Sequence, residues 1–148
     1  MPSLDNMMLR QIIMDHYEHP HNKRTPTDDR YLKINMNSES CIDNIDVFLL
    51  VENGIVKDCC FDGIGCTIST ASTSIMTDLV KGKTIEEAEK IIDNYKKMIS
   101  EDKFDEELLD EAIVFMNTSK QASRIKCATI GWNGLNELLE ESKGEKHE

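Results

Sequence analysis

The chain has 148 residues and carries 17 Lys and Arg against 28 Asp and Glu, a formal net charge of −11. That balance excludes the clustered basic surface on which nucleic-acid backbone binding depends. No unbroken apolar run exceeds five residues, as in Val47 to Val51, which is far short of a membrane span, and the length suits one domain over residues 1–148.

The opening Met1-Pro2-Ser3-Leu4-Asp5 has neither the basic nor the apolar part of a signal peptide. Five cysteines, an odd number, are then expected to be reduced thiols of a cytoplasmic protein. The first helix is expected to be capped by Ser3, with an apolar stripe of Leu4, Met8, Leu9, Ile12, Ile13 and Tyr17, and to stop before Pro20. His16, His19 and His21 cluster at its end. No cysteine or carboxylate pattern joins them, so they read as solvated imidazoles near a helix C-terminus rather than as metal ligands. Residues 22–30 are polar loop.

Three strands follow. Leu32, Ile34 and Met36 alternate with polar residues, Ile45 to Glu52 is the second strand, and Ile55 to Phe61 the third. Asn53-Gly54 between the last two suits a type I′ turn. The loop from Ser38 to Asp43 carries Cys41 and Asp43 two residues apart, whereas Cys59 and Cys60 read as packed strand residues.

Asp62-Gly63-Ile64-Gly65-Cys66 is a tight turn that delivers Cys66 to the first turn of a helix with apolar residues at Ile68, Ala71, Ile75 and Leu79. Unpaired N–H groups there favour a thiolate. Gly82 breaks that helix, and Thr84 with Glu87 forms a capping box for the next, whose stripe is Ile85, Ala88, Ile91, Ile92, Tyr95 and Met98. A further helical piece starts near Asp105, with Leu108, Leu109, Ala112 and Phe115 inward. Ser123 is the expected cap of the last helix, whose stripe is Ile125, Ala128, Trp132, Leu135 and Leu138 and whose tail frays from Ser142. Gly131 and Gly134 inside it each cost about 1 kcal/mol relative to Ala. The fold class is α+β: a three-stranded antiparallel sheet packed against about five helices.

Cys127 falls in the expected first turn of that last helix, as Cys66 does in its own. Cys41, Asp43, Cys66 and Cys127 together offer three thiolates and a carboxylate, the donor set of a tetrahedral zinc site. With a dication the set sums to −2, which two helix dipoles, Arg124 and Lys126 would partly offset. Without a C-x-x-C pair, a metal site and scattered reduced thiols both remain open on these residues.

Gly63-Ile64-Gly65-Cys66-Thr67-Ile68-Ser69-Thr70-Ala71-Ser72-Thr73-Ser74 resembles the motif of the IscU-like proteins of iron–sulfur cluster assembly. Arg124-Ile125-Lys126-Cys127-Ala128 with Trp132, and Ile13-Met14-Asp15-His16-Tyr17 followed by Pro20 and Asn22, resemble the SufU branch. The likeness covers Leu4 to about Leu139. Lys126, where the scaffold branch usually has histidine, and the long stretch between Cys66 and Cys127 both favour SufU. Glu39 and Ile42 depart from the proline and glycine usual in the first-cysteine loop, and a β-branched residue resists φ > 0.

The resemblance implies an IscU/SufU-like fold and a zinc-dependent acceptor of sulfane sulfur from a PLP-dependent cysteine desulfurase of SufS type. That sulfur then passes toward a downstream cluster-assembly scaffold. Loop-borne Cys41 is the expected acceptor, Asp43, Cys66 and Cys127 the residues that keep the zinc, and Arg124 a support for the site's charge. The alternatives are a scaffold binding a transient [2Fe–2S] cluster and a zinc-stapled interaction domain.

Overall fold

The computed structural model describes residues 6–37 and 42–146, without the side chains of residues 119, 122 and 144–146. The elements are α1 (Asn6–Glu18), β1 (Leu32–Asn37), β2 (Asn44–Glu52), β3 (Ile55–Ile64), α2 (Thr67–Val80), α3 (Ile85–Ile99), a short α4 (Glu106–Leu109) running into 3-10 turns, and α5 (Ala122–Lys146). The fold is the expected α+β arrangement of one antiparallel three-stranded sheet and five helices. Ser3, Leu4 and Cys41 lie outside the described residues.

The strands lie in the order β1-β2-β3. Leu32, Ile34 and Met36 face Leu49, Val47 and Ile45, and Leu49 and Val47 face Cys59 and Phe61 on β3. These residues form the inward side of the sheet, on which α5 and α2 pack. The hairpin turns as the Asn-Gly pair dictates, with φ of 55° at Asn53 and 75° at Gly54. β3 runs three residues past the expected Phe61. It does so because Gly63, at φ +118°, lets the backbone pass beside Asn44, whose carbonyl oxygen would sit 2.3 Å from any Cβ there.

Thr84 and Glu87 form the expected capping box on α3. Where a continuous helix was expected after Asp105, α4 stops at Leu109. Asp110 takes a φ of 45°, and a 3-10 turn carries the buried Ala112 and Phe115 instead. Gly131 and Gly134 have a packing reason. A Cβ on Gly131 would lie 2.4 Å from Thr73 Oγ1, and one on Gly134 would lie 2.8 Å from Met36 Cγ, so bare backbone lets α5 press against α2 and the sheet. Beside this crossing Trp132 stacks on Tyr95, ring centroids 3.8 Å apart and nearly parallel at 4°.

On α5, Ser142 is buried and Lys143 pairs with Glu89 at 2.7 Å, and the helix extends to Lys146. On α1, Leu9 is buried and Ile12 and Ile13 pack on the core, but Met8 and Tyr17 are 48% and 40% exposed. His16 takes the inward place and is 2% exposed, not solvated, because Ser74 on α2 and Glu111 supply its hydrogen bonds. Among the described residues no helix is long and apolar enough to cross a membrane.

Candidate metal centre

Cys66 is the N-cap of α2 rather than a residue of its first turn. At φ −70° and ψ 175° its sulfur takes the role usually played by a Ser or Asp oxygen, accepting the Ser69 N–H at 3.4 Å. The pairing of β2 with β3 brings Asp43, the residue just before β2, to the same place. Its Oδ1 accepts the Cys66 N–H at 2.9 Å and the Ser69 hydroxyl at 2.7 Å. Asp43 is 2% exposed. A carboxylate so buried is sustained only by such donors and by nearby positive charge.

The third donor comes from α5. That helix begins at Ala122, because the Arg124 N–H already bonds back to the Gln121 carbonyl at 2.8 Å. Ser123 is therefore inside the helix, and Cys127 lies in its second turn, beyond the N–H groups left unbonded at a helix start. The helix dipole does less for Cys127 than the sequence implied, and tertiary packing does more. Ala128, its neighbour, gives its carbonyl to the hydroxyls of Ser72 (2.6 Å) and Tyr95 (2.7 Å), while Trp132 Nε1–H donates to Ser72 Oγ at 2.9 Å. This buried set ties the turn that carries Cys127 to the helix that Cys66 caps.

The outcome is a cluster. A ligand atom from each of Asp43, Cys66 and Cys127 lies within 4.8 Å of the other two. Two sulfurs bound to one tetrahedral zinc at about 2.3 Å would be roughly 3.8 Å apart, so the donor set and its spacing fit a thiophilic divalent ion. Cys41, the fourth expected donor, is outside the described residues. Arg124 is exposed and lines a groove with Arg10, Thr67 and Ile68, one turn from Cys127. Ile42 and Ile64, beside Asp43 and Gly65, are 67% and 66% exposed.

Cys59 and Cys60 are not part of the cluster. Both are buried in β3, and burial pushes the Cys60 thiol up to about 11 and the Cys59 thiol higher, so both stay protonated and unreactive. Ser69 is the residue that sequence reasoning missed. Its position three residues after a helix-capping cysteine was the available signal.

The family described as NifU-like N terminal domain matches residues 8–133. The chain is 36% identical over 138 residues to the zinc-dependent sulfurtransferase SufU of Bacillus subtilis (strain 168), covering 93% of this chain and 92% of that one. It is 34% identical to the iron–sulfur cluster assembly scaffold protein IscU of Streptococcus pyogenes serotype M1, covering 96% and 89%. A crystal structure from Fervidobacterium islandicum AW-1, described as a putative iron–sulfur cluster assembly scaffold protein for the SUF system, superposes with a TM-score of 0.74 at 30% identity. It covers 85% of this chain and 92% of that one.

Proposed function

The chain belongs to the NifU-like N-terminal domain family, and from that premise we propose that it is a zinc-dependent sulfurtransferase of iron–sulfur cluster assembly. In this reading it accepts sulfane sulfur from a PLP-dependent cysteine desulfurase of SufS type and relays it to a downstream assembly scaffold. The observation that carries the reading is the convergence of Asp43, Cys66 and Cys127 within 4.8 Å, in a chain 36% identical to a protein named for this activity. The cytoplasm, where thiols stay reduced, is the compartment that suits it.

Cys41, Asp43, Cys66 and Cys127 are the residues that would hold zinc. Zinc, when bound, keeps its thiols deprotonated at neutral pH. Cys41 lies in sequence between β1 and β2, whereas Cys66 is fixed by its capping bond and Cys127 by the packed turn around Ala128. Cys41 is therefore the acceptor. Its thiolate attacks the outer sulfur of the desulfurase persulfide, the S–S bond there breaks, the desulfurase thiolate leaves, and Cys41 carries the persulfide. Arg124, one turn from Cys127, offsets the negative charge of the set.

A second reading is supported by the 34% identity to an IscU scaffold and by the superposition on a structure described as a cluster assembly scaffold. In it the same thiols and carboxylate receive a transient [2Fe–2S] cluster and hand it on. Metal analysis of aerobically and anaerobically purified protein separates the two. Desulfurase turnover with and without the protein, and mass spectrometry of trapped peptides, then test the transfer. Persulfide is expected first on Cys41, and undiminished desulfurase stimulation by Cys41→Ser would overturn the mechanism.

A further inference from the structure

We propose that His16, His21 and Asp78 form a second metal site, an imidazole–imidazole–carboxylate set for a borderline divalent ion such as zinc or cobalt. It stands at the opposite end of α2 from the thiol centre. Asp78 is twelve positions beyond Cys66, roughly 18 Å along a helix axis at about 1.5 Å per residue. A ligand atom from each of the three residues lies within 4.8 Å of the other two.

The surroundings are built as metal sites are built. His16 is 2% exposed, and its Nε2–H donates to Glu111 Oε1 at 3.0 Å, the carboxylate–imidazole pair that commonly orients a histidine ligand and raises its basicity. That tautomer leaves the lone pair on Nδ1, which faces Ser74 Oγ at 2.8 Å. Ser74 Oγ also accepts the His21 backbone N–H at 2.8 Å, so an ion on Nδ1 takes the place of Oγ, and the Ser74 side chain turns to another rotamer and gives up that bond. The Asp78 carboxylate is oriented in the same manner. Its Oδ1 accepts the Asn22 amide at 3.0 Å, and the Asn22 carbonyl is bonded in turn by Lys81. Oδ2 faces His21 Nδ1. The two imidazole rings lie side by side, centroids 4.4 Å apart and tilted by 48°.

His21 Nδ1 and Asp78 Oδ2 are joined by a hydrogen bond, and an ion bound between them takes the place of that hydrogen. Two neutral imidazoles and one carboxylate leave a dication with one positive charge, which Glu111 offsets through His16. His21 and Asp78 side chains are 47% and 42% exposed, which gives the ion a way in and leaves a position for water. The ion would join the end of α1 to α2.

Cobalt(II) titration of the full chain tests this, because thiolate ligands give an intense sulfur-to-cobalt charge-transfer band and an imidazole–carboxylate set does not. Cobalt binding without charge transfer is expected, and it is expected to survive Cys66→Ser, so the outcome does not depend on the reading of the thiol centre. His21→Ala and Asp78→Asn, both at the surface, are expected to abolish it and leave the charge-transfer amplitude unchanged, with circular dichroism confirming the fold. Glu111→Gln is expected to weaken it by about 10- to 100-fold. Absence of any cobalt binding without charge transfer, or its persistence in His21→Ala, overturns the proposal.

Discussion

The Ser69 hydroxyl donates to Asp43 Oδ1 at 2.7 Å, and the Ser69 N–H points at the sulfur of Cys66. One residue in the first turn of α2 thus positions two of the expected ligands from behind. Ser69→Ala removes a donor from a buried carboxylate. The expected cost is about 1–3 kcal/mol of stability and about 10- to 100-fold in metal affinity. Denaturant unfolding and competition with a chromophoric chelator read the two effects, and unchanged affinity would show that Asp43 is oriented without the hydroxyl.

Gly131→Ala places a methyl 2.4 Å from Thr73 Oγ1 and 2.9 Å from Thr73 Cγ2. Overpacking of this kind costs about 1–3 kcal/mol. Thr73→Ala deletes both clashing atoms, so the double variant is expected to be more stable than the two single losses summed. A double-mutant cycle on melting data measures that coupling.

Alkylation of the native protein at neutral pH is expected to modify Cys66 before Cys59 or Cys60. Burial withholds the latter pair from reagent and keeps them as thiols. Peptide mapping after a short pulse checks the order. Cys59→Ala is expected to keep the thiol-bound metal at the cost of about 1 kcal/mol, while Cys66→Ser loses that metal.

Acid stability is expected to turn on Asp58. Burial works to raise its carboxyl, but hydrogen bonds from Tyr31 and Lys81 and the charges of Lys81 and Arg24 outweigh it and hold the group below the ordinary carboxylate range. A depressed folded value means the stabilisation is fully present above the unfolded value of about 3.9 and is lost as pH falls through the folded one. Melting temperature measured from neutral pH downward is expected to drop in that acid window, and Asp58→Asn is expected to be less stable at neutral pH with a shallower acid drop.

Local patterns of the chain carried much of this fold. The alternation of Leu32, Ile34 and Met36, the Asn53-Gly54 turn and the Thr84–Glu87 capping box each depend on residues within a few positions, and each took the form its chemistry requires. Long-range placement was less visible. His16 is buried because its partners Ser74 and Glu111 stand 58 and 95 positions away, and no window around Asp15-His16-Tyr17 contains them. Cys127 was assigned to a first turn because Ser123 is a good cap, yet the helix begins a residue before that serine and buries Cys127 by tertiary contact. From the residues alone Asp43, Cys66 and Cys127 were a donor inventory, and only the family resemblance grouped them as ligands of one zinc. Their meeting point is set by the β2–β3 register and the α2–α5 crossing.

That crossing has a consequence for biosynthesis. Asp43 and Cys66 leave the ribosome well before Cys127, and α5 must dock through Gly131 and the Ala128 carbonyl before the third ligand arrives. An ion met by the emerging chain finds an incomplete set of donors. An ion held by all three is therefore expected to be loaded only once α5 has docked, and zinc added after translation is expected to be taken up by the folded chain.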